Sequence, residues 1–141
     1  MSRYLVDNSV LQRLPRSSAV QAEVAAILDA EDELCCCALT LDEFAFSARS
    51  AAEHAEGSHR LRRSFLYLPA SPDTDQIVID IRTALWQASM GRAAGVIDVA
   101  IAAVAVSSSA AVLHYDGDFD HIAAVYPDLQ SRWVVPRGSI D

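Results

Sequence analysis

Short apolar runs recur along the chain at Arg3–Val6, Leu34–Leu39, the opening of the stretch FLYLPASP (residues 65–72), Ala110–Tyr115 and Trp133–Val135. Stretches of helical composition separate them, and no hairpin signal joins one run directly to the next. Strands that alternate with helices pair mainly in parallel, because each return to the sheet is made by a crossover. The expectation is an α/β chain whose central sheet is covered on both faces. Its 141 residues suit one domain, long enough to bury a core without disulfide or metal staples.

The helical stretches begin near Val10 after a turn at Asn8-Ser9, then run over Ala19–Ala30, Thr40–His54 with a loose continuation through Gly57 to Arg63, Asp73–Met90, Val96–Ser107 and Asp118–Val125. Pro15, Pro69 and Pro72, with Gly91 and Gly95, mark the breaks. No repeat or low-complexity tract interrupts this order. The closing VPRGS, Val135–Ser139, matches a common engineered cleavage string, yet it continues the last strand and is read as part of the fold.

With 52% hydrophobic and 21% charged residues the chain has enough apolar surface to offset its ordering entropy, which excludes a disordered protein. The longest apolar run, Val96–Val106, is interrupted by Asp98 and falls short of the roughly 18 residues that span a bilayer. The N-terminus meets Asp7 after three apolar residues and carries no signal-peptide pattern, so the reading is cytoplasmic, without a membrane partner. Cys35, Cys36 and Cys37 are consecutive, so a strand would turn neighbours to opposite faces, and they are read as small apolar core residues of a reduced protein. The net charge is −8 and all 11 basic residues are Arg. Such a chain has no general attraction for a phosphate backbone and would need local Arg clusters and a metal to bind one.

Ligands of open α/β sheets bind beyond the carboxyl ends of the strands. Acids fall there. Asp7 closes the first run, Glu43 lies in the first helical turn after the second, and Asp116 follows AVLHY. Asp98 joins them as the sole ionisable residue between Arg92 and His114. An unpaired buried carboxylate is costly enough to force its own protonation, and no nearby cation in sequence relieves it. Each acid has a plainer use as well. Thr40 and Glu43 fit a capping box, Asp98 complements a helix dipole, Asp7 fits an Asx turn, Asp118 stands where a helix N-cap would, and Asp120 is read as facing solvent. These local uses do not account for acids at successive strand-linked positions in so apolar a chain. A shared divalent cation would, and an all-oxygen set selects Mg²⁺ or Mn²⁺ over zinc or copper. One ion, or two about 3.5 to 4 Å apart, can acidify a water and stabilise the leaving oxygen of a phosphodiester.

LVDNSV at the N-terminus, LDEF, VIDVAIAAVA and VLHYDGDFDHIA, in that order, resemble the motifs of PIN-domain ribonucleases, and most closely those of the VapC toxins of bacterial VapBC toxin–antitoxin pairs. The resemblance covers nearly the whole chain, including the closing WVVPRGS. It implies one PIN domain over residues 1–141, folded as a PIN-like α/β/α sandwich with a mainly parallel sheet. By position it implies Asp7, Glu43, Asp98 and Asp116 as catalytic, metal-holding acids, Asp118 as a supporting ligand, and Ser9 as a residue that orients metal or phosphate. The implied activity is Mg²⁺- or Mn²⁺-dependent endoribonuclease cleavage, commonly of tRNA or ribosomal RNA, by a homodimer that a VapB-like antitoxin restrains by laying a segment over the acidic cleft. Unlike many relatives, this chain offers only Arg92 as a basic residue just before the third acid.

Candidates for gripping RNA are therefore Arg49, Arg60, Arg62, Arg63 and Arg92, against the plainer reading of Arg60–Arg63 as a solvated helix face. Trp86 and Trp133 are assigned to core packing or dimer contact ahead of base stacking, and the histidines receive no chemistry. An EF-hand reading of DGDFD fails, because its sixth position would be His121 and its twelfth Pro127. A phosphoryl-transfer hydrolase built on Asp7 lacks the second Asp, Ser9 standing in its place. An RNA-processing PIN nuclease without an antitoxin, or a PIN-like interaction domain without activity, are the alternatives that share the fold.

Overall fold

The computed structural model describes all residues from Met1 to Asp141. Its elements run β1 (Arg3–Val6), α1 (Asn8–Leu11), α2 (Ser18–Asp29), β2 (Glu33–Cys36), α3 (Ala38–Ala45), α4 (Ala51–Ser64), β3 (Leu66–Tyr67), α5 (Thr74–Gln87), α6 (Val96–Ser107), β4 (Ala111–His114), α7 (Asp118–Val125) and β5 (Ser131–Trp133). The strands form one sheet in the order β3-β2-β1-β4-β5, and every pairing is parallel. The chain thus builds outward from β1 to β3, then crosses to the other side of β1 for β4 and β5. That reversal opens a crevice at the carboxyl ends of β1 and β4.

Alternation along the strands divides the core. Leu5, Cys35 and Val112 face a cluster completed by Ile81, Leu85 and Ile101. Their neighbours Val6, Cys36 and Leu113 face a second cluster with Val10, Ile27 and Leu61. Helices α5, α6 and α7 thereby cover one face and α1, α2 and α4 the other, which is the α/β/α sandwich expected. Cys35 and Cys36 point to opposite sides, as period-two geometry requires.

The last strand lies earlier than expected, at Ser131–Trp133, so VPRGS follows it rather than continuing it. Two other differences from expectation shape the site. The second strand stops at Cys36, because Cys37 becomes the N-cap of α3. Thr40 Oγ1 accepts the Cys37 N–H at 2.9 Å and donates to the Cys37 carbonyl at 3.1 Å. Thr40 is therefore the third residue of the helix rather than its cap, and Glu43 is released from the capping box with it. The single helix expected over Thr40–His54 is also two helices: α3 ends at Ala45, and Ser50 starts α4 by accepting the Glu53 N–H at 3.1 Å. A serine cap offers the backbone an alternative to a continuous helix. The break leaves Phe46 86% exposed. Trp86 departs from the core reading as well, since it is 59% exposed and lies against Gly91, where an added Cβ would come within 2.1 Å of its ring.

Thr40→Val keeps the shape of the side chain and leaves a buried N–H unpaired, so urea unfolding should show a loss of about 1–3 kcal/mol, most of it recovered by Thr40→Ser.

Candidate functional site

The last rung between the central strands places the first acid. Asp7 N–H donates to Leu113 O at 2.9 Å, and the side chain, 4% exposed, then N-caps α1 by accepting the Ser9 N–H on Oδ2 at 3.0 Å. The Asx-turn use is thus real, and it occupies one oxygen. Ser9 in turn accepts the Tyr115 N–H on Oγ at 2.9 Å, tying the start of α1 to the end of β4.

Beyond β4, backbone donors fix the next acids. His114 Nδ1 accepts the Asp116 N–H at 3.2 Å, and Asp116 Oδ1 accepts the Asp118 N–H at 3.0 Å. The expected cap of α7 is thereby displaced: Gly117 is the N-cap, and Asp118, free of that duty, turns its Oδ2 to the Gly95 N–H at 3.2 Å. Gly95 is the residue before α6, so this bond draws in the helix turn that carries Asp98. One carboxylate oxygen from each of Asp98, Asp116 and Asp118 lies within 4.8 Å of the others. Glu43 approaches from α3 with Oε1 buried and without a hydrogen-bond partner.

The electrostatics link all five acids. Burial raises the Asp7 pKa, assisted by the charge of Asp116 and opposed by the Ser9 donors. Glu43 is raised by burial and then by Asp7 and Asp116. Asp98 is pushed up to about 8, first by burial, next by a hydrogen bond shared with Asp118, then by the charges of Asp116 and Asp7. No arginine relieves them, because the ion pairs of the protein are Arg3–Glu33 and Arg132–Glu23. Mutual repulsion, an orphaned buried oxygen and an all-oxygen donor set fit a hard divalent cation, which Asp7, Glu43, Asp98, Asp116 and Asp118 could hold.

The histidine set aside in the sequence has a positioning role. His114 is fully buried, packed against Phe119 and Trp133 with ring centroids 5.0 and 4.9 Å away. Burial lowers its pKa to about 4 in spite of the nearby Asp120 and Asp116, so the ring is neutral and its unprotonated Nδ1 faces the Asp116 N–H. A His two residues before Asp in a strand-end motif is a weak signal for this bond, since the contact depends on burial. Asp120 also does more than face solvent: both its oxygens accept Trp133 Nε1 at 3.1 Å.

The arginines scatter. Arg62 stacks on Tyr67 at 4.6 Å from the ring centroid, and Arg63 shares with it the last turn of α4, where positive charge complements the helix dipole. Arg60 lines a shallow groove with Leu11, Phe44 and Leu61, Arg49 lies exposed in the break between α3 and α4, and Arg92 is exposed in the loop before α6. A larger groove, ≈ 570 Å³, opens beside Glu43 and is lined also by Asn8, Gln12, Phe46 and Ile97.

Without metal, Asp98 titrates near 8 when folded against an ordinary 3.8. The folded state then holds the extra proton between those values, so the stability this group contributes is complete below about pH 4 and is lost as pH rises to about 8. In EDTA, Asp98→Asn should exceed wild type at pH 8 by on the order of 1 kcal/mol, discounted for the partial exposure of the side chain, or a few degrees in Tm. Thermal unfolding should show that gap closing toward pH 4.

Comparison with known proteins agrees with this geometry. The PIN domain family model matches residues 4–125. Ribonuclease VapC21 of Mycobacterium tuberculosis is 35% identical over 142 residues, covering 98% of each chain, and Ribonuclease VapC51 of the same organism is 33% identical over 139 residues, covering 99% of this chain and 98% of its own. Among solved structures, VapBC-1 from nontypeable Haemophilus influenzae superposes with a TM-score of 0.76 at 21% identity, over 94% of this chain and 98% of that one, a likeness of fold. The sheet order, the matched family model and these full-length relatives agree, and the chain belongs to the PIN-domain family, among the VapC ribonucleases.

Proposed function

We propose that this protein is a VapC-type toxin, a cytoplasmic endoribonuclease that hydrolyses RNA phosphodiester bonds with Mg²⁺ or Mn²⁺ and is restrained by a VapB-like antitoxin. The observation that carries the reading is the cluster of Asp98, Asp116 and Asp118 within 4.8 Å, near enough to Asp7 and Glu43 that their charges act on one another, with no cationic side chain paired to any of them. Its relatives are named ribonucleases, and several solved neighbours are toxin–antitoxin complexes. The whole chain acts as a single PIN domain in a homodimer, with tRNA or ribosomal RNA as substrate.

Asp7, Glu43, Asp98 and Asp116 would hold the ion, with Asp118 in support. When bound, a divalent ion there supplies the charge that acidifies water and stabilises a departing phosphodiester oxygen. The chain supplies the placement. The Ser9 N–H holds Asp7, the Asp118 N–H holds Asp116, and the buried Val99 and Ala102 of α6 keep water from the core side of Asp98. Ser9 acts through Tyr115 by joining the two strand ends, and it stands close enough to Asp7 to steady its carboxylate. The groove beside Glu43, with Phe46 and Ile97 exposed on its wall, suits an antitoxin segment laid across the acids. Arg49, Arg60, Arg62, Arg63 and Arg92 remain proposed grips for RNA.

Cleavage of a labelled RNA should stop in EDTA and return with Mn²⁺ or Mg²⁺, and Asp7→Asn or Asp98→Asn should slow it at least about a hundredfold in a folded protein. Wild-type cleavage by Asp98→Asn would defeat the assignment. Sequencing the 5′ ends made on brief induction identifies the target.

A further inference from the structure

After β5 the chain doubles back through a turn. Ser139 N–H donates to Pro136 O at 3.1 Å, and Gly138 takes a φ of +78°, a left-handed value that the third residue of a type II turn requires and glycine accepts without strain. Tyr115 fastens the returning segment. Its hydroxyl accepts the N–H groups of Gly138 at 2.9 Å and Ile140 at 3.3 Å, and donates to Ile140 O at 2.9 Å. Tyr115 stands between His114 and Asp116, so the strap is fixed relative to the acids.

Within this turn, Arg137 reaches the acidic rim. Its guanidinium lies over the Trp133 ring at 5.5 Å from the centroid and against Gly117, where an added Cβ would be 3.3 Å from Nη2 and 3.5 Å from Cζ. Gly117 is the residue between Asp116 and Asp118. The Trp133 platform is itself rigid, held by Asp120 at its indole nitrogen and edge-on to Tyr115 with centroids 5.3 Å apart. Arg137 nevertheless enters neither ion pair and donates no hydrogen bond, and its residue is exposed. A counter-ion for the acids would lie within ion-pair distance of a carboxylate. This cation does not; it rests on Gly117 and Trp133 with its residue exposed to solvent.

We propose that Arg137 grips the RNA backbone, donating to a phosphate adjacent to the one that lies at the acids. The inference rests on the nuclease reading above and deepens it. A guanidinium matches two phosphate oxygens at once, and stacking on Trp133 orders it before the substrate arrives, so little freedom is lost on contact. In a chain of net charge −8, a fixed cation beside the acids lets a polyanion approach them. It lies at the β5 edge of the sheet, opposite the β3 edge where Arg62 stacks on Tyr67.

The test is steady-state cleavage of one RNA by the full chain over a range of salt, with Mn²⁺ affinity measured by calorimetry. Arg137→Gln should raise KM about tenfold with kcat kept within about twofold, and should reduce the slope of log KM against log salt by roughly 0.7, the loss of one phosphate contact on a single strand. Arg137→Lys should restore the salt slope and part of the KM, and both variants should keep the wild-type Mn²⁺ Kd. An unchanged KM and salt slope in Arg137→Gln overturns the proposal, as does a loss confined to kcat. Tighter Mn²⁺ binding at unchanged KM overturns it too, by making Arg137 a counter-charge. A wild-type protein that binds Mn²⁺ but cuts no RNA defeats the nuclease reading instead.

Discussion

Asp7 and Asp116 leave adjacent parallel strands at the same end of the sheet, and the protein places no cation within ion-pair distance of either. Two further acids, Asp98 and Asp118, are drawn to the same crevice by a bond to the Gly95 N–H, and Glu43 faces it from α3 with a bare oxygen. Such an arrangement costs stability in the absence of a counter-ion, since burial and like charge both favour protonation. The rest of the molecule is built to hold it. The two apolar clusters on either face of the sheet give β1 and β4 a rigid frame, and the rim hangs from their last residues.

Backbone donors, not side-chain cations, aim the acids. Ser9 N–H, Asp118 N–H and Gly95 N–H each take one carboxylate oxygen, and the His114 ring and the Ser9 hydroxyl fix the two peptides on either side of Tyr115. These donors hold direction without neutralising charge. An arginine in the same place would satisfy an acid and remove it from the set available to an ion. The distinction separates a structural acidic cluster from one kept open for a hard cation.

How much of this could be read beforehand follows from the range of each interaction. The acids at the ends of β1 and β4 were legible because alternation of strand and helix dictates a parallel sheet, and a parallel sheet presents its carboxyl ends together. Glu43 was legible as the acid just after the second strand and Asp98 as an unpaired carboxylate in an apolar helix, each beside a plainer capping or dipole use, and the family motifs contain the same four positions. What escaped depended on local competition. Thr40 bonds to Cys37 rather than starting the helix, and the cap of α7 passed from Asp118 to Gly117 because Asp116 takes the Asp118 N–H. The break at Ala45 rests on the Ser50 cap overcoming the helical propensity of its neighbours. His114 and Arg137 were invisible for another reason: one is significant only when buried, the other only once Gly138 turns the chain back onto Trp133.

On the nuclease reading, the distribution of charge around the crevice bears on what can enter it. The acids form its centre, Arg137 lies at the β5 side on Gly117, and Arg60 lies on α4 beyond the groove that begins at Glu43. A single strand crossing the crevice would meet cation, acids with their ion, and cation in turn, with Phe46 exposed between the last two. A duplex presents its phosphates on a stiff, wide cylinder and would follow such a path less readily than a flexible strand, since the innermost acid, Asp7, is only 4% exposed. Selectivity for unpaired RNA would then come from the depth of the acids and the spacing of the flanking cations rather than from base recognition, which leaves sequence preference to the groove wall around Asn8, Gln12 and Phe46.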